Sequence, residues 1–184
     1  MLGDTPRIGQ SDAPVHARLR GTVAAAFTPR YVEGMRGFVE REVAALLDSV
    51  LRAGAPFDAL NDFGVLLPRA VIGAQLGAPE ADRGQVLAWA TAQMQTVNAD
   101  LTSARRAEAE AARDGLLDYL GRVGRGETGD PESLIATMVR AESEARRLTT
   151  AELLALRIDV ALAGNDTTAN LIGNGVIALA SQPE

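Results

Sequence analysis

The chain has 184 residues, of which 47% are hydrophobic and 23% charged, with a formal net charge of −6. These values fit one globular domain and argue against a nucleic-acid binder, which would carry a basic stripe. There is no cysteine and one histidine, His16. Disulfides, a cysteine nucleophile, thiolate-bound metals and a multi-histidine metal site are thus excluded within these residues. No apolar run approaches 18 residues and no basic segment leads into an apolar one at the start, so the expectation is a cytoplasmic protein without a membrane span.

Residues 1–11 are irregular, broken by Gly3, Pro6 and Gly9. Asp12 and Pro14 open a helix, and Val15, Leu19, Val23 and Phe27 repeat along it at four-residue spacing. Thr28-Pro29 ends that helix and starts the next, with Thr28 at N-cap and Pro29 at the first helical position. Its apolar stripe runs from Val32 through Met35, Val39, Val43 and Leu46 to Val50, and Gly54 with Pro56 stops it.

A helical pattern over 58–76 contains Pro68, which should kink or divide it. Gly77 and Pro79 form a stop. Helices follow over 80–98, around Val86, Trp89 and Val97, and over 103–121, rich in Ala, Arg and Glu. Gly121, Gly124, Gly126 and Gly129 mark a polar loop, and Pro131 opens a short helix with Leu134, Ile135 and Met138. Thr149 and Glu152 fit a capping box at the head of a long helical stretch that reaches about residue 180. There is no strand signal, repeat or low-complexity linker. The pattern predicts an all-α fold of seven or eight helices, in one unit over 1–184.

The long stretch is interrupted by five consecutive poor helix formers, Gly164, Asn165, Asp166, Thr167 and Thr168. In a continuous helix the run costs on the order of 3 kcal/mol. One reading ends a helix at Gly164 and caps another with Asn165 or Asp166. The other keeps one helix, with the Thr167 hydroxyl turned back to the Ala163 carbonyl and loosening the backbone there. Gly164 would then let a flat ligand approach the backbone, and Asp166 beside Thr167 would supply a carboxylate and a hydroxyl for a short proton relay. A second candidate is His16 with Arg20, at i and i+4 on one helix face, which offers donors to a carboxylate or phosphate.

Taken together, Ala163-Gly164-Asn165-Asp166-Thr167-Thr168 resembles the oxygen-binding helix of the cytochrome P450 superfamily, where the pattern is Ala/Gly-Gly-x-Asp/Glu-Thr-Thr/Ser. Asp12-x-Pro14-x-His16-x-Arg18-Leu19-Arg20, with Ala26-Phe27-Thr28-Pro29-Arg30 after it, is similar to the haem-propionate helix of the bacterial members. The stretch between also matches in order, at 58–63, Leu67-Pro68, Val71-Ile72, Leu76-Gly77 and Pro79, and Leu148-Thr149 with Glu152-Leu153 flanks the long helix as in that family.

The resemblance implies haem b as cofactor, with Ala163 and Gly164 over its distal face and His16 and Arg20 on its propionates. It gives Thr167 a hydrogen bond to the activated oxygen and Asp166 a part in proton delivery. Arg18 would face elsewhere, toward a redox partner. The implied reaction inserts one oxygen atom from O2 into a small organic substrate, with electrons from a ferredoxin-type donor. Two family motifs, Glu-x-x-Arg and the cysteine loop that supplies the axial thiolate, have no counterpart in the sequence, nor do the amino-terminal helices and small sheet. The chain therefore reads as the central part of such an enzyme, inactive alone for want of the axial cysteine. The competing reading is a non-catalytic helical ligand-binding or interaction domain. Leu153, Leu156, Ile158, Val160, Leu162, Leu171, Ile172, Val176 and Ile177 point all around the long helix, so part of it should be left uncovered.

Overall fold

In a computed structural model the described residues are 5–54, 56–94, 102–145 and 148–182. They contain eight α-helices and no strand, together with a 3-10 turn at Ile8–Gln10 and a π-helical turn at Ala59–Gly64. The helices are α1 (Val15–Ala26), α2 (Pro29–Ala53), α3 (Leu66–Gln75), α4 (Glu80–Met94), α5 (Ser103–Gly124), α6 (Leu134–Ala145), α7 (Thr150–Ala163) and α8 (Asp166–Ala180).

Several boundaries follow from local chemistry. The Thr28 hydroxyl accepts from the Tyr31 amide at 3.1 Å, and Pro29 fills the first position of α2, where its missing N–H leaves nothing unpaired. Gly54 ends α2 at φ 84°, and Gly77 turns the chain after α3 at φ 80°. At the head of α7 the Thr149 hydroxyl accepts from the Glu152 amide, and the Glu152 carboxylate accepts from the Thr149 amide at 2.7 Å, closing the capping box.

Other boundaries differ from the sequence reading. The segment over 58–76 is divided, but the division falls at Val65. Pro68 sits in the first turn of α3, where no intrahelical N–H bond is lost. Asp58 holds the preceding turn by accepting from the Leu60 and Asn61 amides at 3.0 and 2.9 Å. Helix α5 runs through Gly121 and Gly124 before it stops, and α6 starts at Leu134, with Pro131 in the turn ahead of it. At Gly124 the Arg157 guanidinium lies against the helix backbone, and a Cβ there would fall 2.8 Å from both terminal nitrogens. The expected helix over 80–98 is observed to Met94, and 95–98 lie outside the described residues.

The core gathers Leu19 of α1, Ile72 of α3, Val86 of α4, Leu116 and Leu120 of α5, Ile135 and Met138 of α6, and Leu156 and Ile158 of α7. Helix α7 packs against α4, α5, α6 and the amino-terminal 3-10 turn, so it passes through the middle of the assembly. Helix α8 instead lies against α3 and the π-helical turn, and of its residues only Ala169 is buried. No helix among the described residues is long and apolar enough to cross a membrane.

Candidate functional site

The run of poor helix formers becomes a kink. Helix α7 ends at Ala163 and α8 begins at Asp166, so the expectation of one unbroken helix is corrected. The two residues between remain right-handed, Gly164 at φ −77°, ψ −15° and Asn165 at φ −94°, ψ −73°. Neither feature of a helix–loop–helix break is present: Gly164 does not take the left-handed conformation, and Asn165 makes no side-chain cap. The Thr167 hydroxyl donates to the Ala163 carbonyl at 2.7 Å, spanning the joint. A hydroxyl on that carbonyl competes with the backbone ladder and bends the axis. The ladder resumes where the Ala169 amide donates to the Asn165 carbonyl at 3.1 Å.

The glycine at the kink has a packing reason that the sequence did not reveal. A Cβ on Gly164 would stand 2.6 Å from Cδ1 of Ile72, so α3 presses directly on the joint. Ile72 thus approaches Gly164 closely from the α3 side, and Gly164 also lines the cavity described next. Ala163, one residue earlier, is exposed. It edges a cavity of about 560 Å³ whose walls include Val23 and Phe27, Val39, Leu67, Val71, Gly164 and Thr168. Thr168 was named in the run but given no role of its own, and it is the threonine that lines this cavity. Thr167 is exposed at i+4 from Ala163, on the same face.

Asp166, expected to act with Thr167, is bonded to its other neighbour. Its carboxylate accepts from Asn165 Nδ2 at 2.6 Å, and the residue borders a small gap beside Leu87, Ala90 and Thr91 of α4. Among the described residues no hydrogen bond joins it to Thr167; successive helical residues point about 100° apart. Asp159, one turn before the kink, holds the only carboxylate in the cavity wall among the described residues. It accepts from Arg7 Nε at 2.7 Å and Nη2, and from the Ile8 amide at 3.2 Å, fastening the amino-terminal turn over α7.

On α1 the basic residues separate into two kinds. Arg18 makes a two-pronged contact with Glu152, Nη1 to Oε2 at 3.0 Å and Nη2 to Oε1 at 2.5 Å. The expectation that it faces a redox partner is therefore corrected: it points inward, to the carboxylate that also caps α7. Hydrogen bonding from Arg18, then from Thr149, pulls the Glu152 carboxyl down to about 2. Glu142 adds a second tie, accepting from Thr22 Oγ1 at 3.3 Å and from the Leu148 amide. His16 is half-buried and Arg20 exposed, and the side chains of both lack a partner among the described residues. At i, i+4, i+7 and i+11, His16, Arg20, Val23 and Phe27 share one face of α1, which leads from two free donors into the cavity edged by Ala163.

This arrangement defines a helical protein with an apolar cavity between a basic helix face and a threonine-stapled kink. No family-level sequence model matches the chain. Individual relatives do. It is 37% identical over 178 residues to the cytochrome P450 monooxygenase PikC of Streptomyces venezuelae, covering 95% of this chain and 41% of the relative. It is 34% identical over 171 residues to the polyketide biosynthesis cytochrome P450 PksS of Bacillus subtilis, covering 91% and 40%. The solved structure of CalO2 superposes with a TM-score of 0.84 at 28% identity, over 99% of this chain and 45% of that one. The chain belongs to the cytochrome P450 superfamily, of the bacterial type, and spans about two fifths of the length of the curated relatives it matches.

Proposed function

We propose that this chain is the oxygen-side portion of a haem-dependent monooxygenase acting on a small organic substrate. The observation that carries the reading is the α1 face, with His16 and Arg20 free at one end and Val23 and Phe27 at the other, against the cavity that Ala163 edges. A haem needs two anion donors beside an apolar slot, and this face offers both. His16 and Arg20 would hold its propionates, and Ala163 with Gly164 would lie against the ring. When bound with a thiolate, haem supplies the oxygen activation needed to insert one oxygen atom into a substrate. The 184 residues contain no cysteine, so an axial thiolate would come from outside them and they would be inactive alone.

Within the chain, Thr167 would place its oxygen beside the carbonyl of Ala163, the residue that edges the cavity. Because its proton is directed to the Ala163 carbonyl, its lone pairs are left to accept a hydrogen bond from a proton-bearing group there. Asp166 would act from the α4 side, by taking up and releasing protons through water rather than by touching Thr167. Electrons would come from a ferredoxin-type donor, as the resemblance implies. One solved relative, P450BioI, was crystallised with an acyl carrier protein bearing a fatty acid, which is a property of that protein.

The test is a haem titration followed at the Soret band. Replacing both His16 and Arg20 with Ala should weaken binding at least tenfold, since each charge-assisted bond contributes about 1.5–3 kcal/mol. Equal affinity with an unchanged helical spectrum would overturn the assignment. The reduced carbon monoxide complex of this chain should lack a thiolate-type band.

A further inference from the structure

Arg157 lies on α7, lines a cavity other than the one edged by Ala163, and is 5% exposed. Its Nη1 donates to the Leu120 carbonyl at 3.0 Å, and its Nε has no partner. No carboxylate reaches it among the described residues. Burial, and then the charge of Arg125 nearby, bring its guanidinium down to about 10. An arginine buried to this degree is ordinarily paired, because an uncompensated charge is held at a desolvation cost of several kcal/mol.

Arg157 forms part of the wall of a second cavity, of about 280 Å³, between α5, α6 and α7. Leu117, Val139, Leu153 and Leu154 give this cavity an apolar lining. The α5 wall runs from Leu117 to Arg125, about 12 Å along the helix axis at 1.5 Å per residue, and Arg157 stands at its Gly124 end. Arg125 is already matched by Glu127, at 2.5 and 3.1 Å. Asp118 also lines the space, but it is exposed and makes no hydrogen bond to Arg157. The cavity thus places a cation that has no carboxylate partner among the described residues beside the apolar side chains of Leu117, Val139, Leu153 and Leu154.

We infer that this cavity binds a small carboxylate with an apolar tail, the carboxylate on Arg157 and the tail along Leu117, Val139, Leu153 and Leu154. The site is separate from the one edged by Ala163 and does not depend on haem. Octanoate is a suitable probe, with octanol as its uncharged counterpart, both titrated calorimetrically into the 184-residue protein. Octanoate should bind at least tenfold more tightly than octanol. Arg157→Met should remove that difference while leaving the urea midpoint unchanged or higher, because it deletes an unpaired buried charge. Equal affinities for octanoate and octanol in the unsubstituted protein would overturn the inference. So would octanoate binding that persists undiminished in Arg157→Met, since it would then be seated elsewhere.

Discussion

Helices α7 and α8 come from one apolar stretch of sequence and end in opposite environments. In α7, Leu156 is 1% exposed and Ile158 lies beside it in the core. In α8, Leu171, Ile177 and Leu179 are 71%, 65% and 78% exposed. Composition does not separate the two segments; their neighbours do. Helix α7 is enclosed by α4, α5 and α6, whereas α8 emerges past the kink with α3 and the π-helical turn as its main neighbours among the described residues. An apolar sequence states what a helix can tolerate on each face, and burial is decided by what packs there.

The contrast can be broken most strongly at Leu156. Leu156→Ala should lower stability by about 2–5 kcal/mol in urea unfolding, since the site is closed on every side. Next comes the joint itself. Gly164→Ala should lose about 1–3 kcal/mol by driving a methyl into Ile72, and Ile72→Val in the same chain should recover part of that loss. Independent additivity of the two substitutions would show that the contact is not the cause.

Glu152→Gln should lose about 2 kcal/mol, because one carboxylate serves both Arg18 and the head of α7. The Glu152 carboxyl titrates near 4.5 when unfolded and about 2 when folded. Its contribution is therefore present above about 4.5 and disappears as pH falls toward 2. Stability measured across that window should fall less steeply in the Gln variant. Smaller still, Thr167→Val removes the hydroxyl that spans the kink and should shift stability by about 1 kcal/mol or less. Leu179→Ser, in the exposed half, should leave the urea midpoint within about 0.5 kcal/mol yet reduce self-association in sedimentation velocity.

Short-range chemistry was legible in the sequence. Thr28-Pro29, Gly77 and the Thr149–Glu152 capping box each act within four residues, so their spacing carries the information. The Thr167 hydroxyl on Ala163 belongs to the same class. What escaped depends on distant partners. The Ile72 contact that demands Gly164 and the role of Gly124 beneath Arg157 both involve side chains from other helices. Arg18 was misread for the same reason: its partner lies 134 residues away. Asp159 offered a usable signal, an acid set between the apolar Ile158 and Val160, and it proves to anchor Arg7. Asp166 and Thr167 are adjacent in sequence, but successive helical residues point about 100° apart, so adjacency by itself does not bring the two side chains into contact.

The double engagement of Glu152 bears on how this sequence can drift. Its carboxylate both starts α7 and seats α1, so Asp, one methylene shorter, would have to abandon one duty. Arg18 is bound in turn, since losing its cation would strand a buried carboxylate. The two positions are therefore expected to change together or not at all, while Arg20, two residues from Arg18 and exposed, is free of any such internal debt.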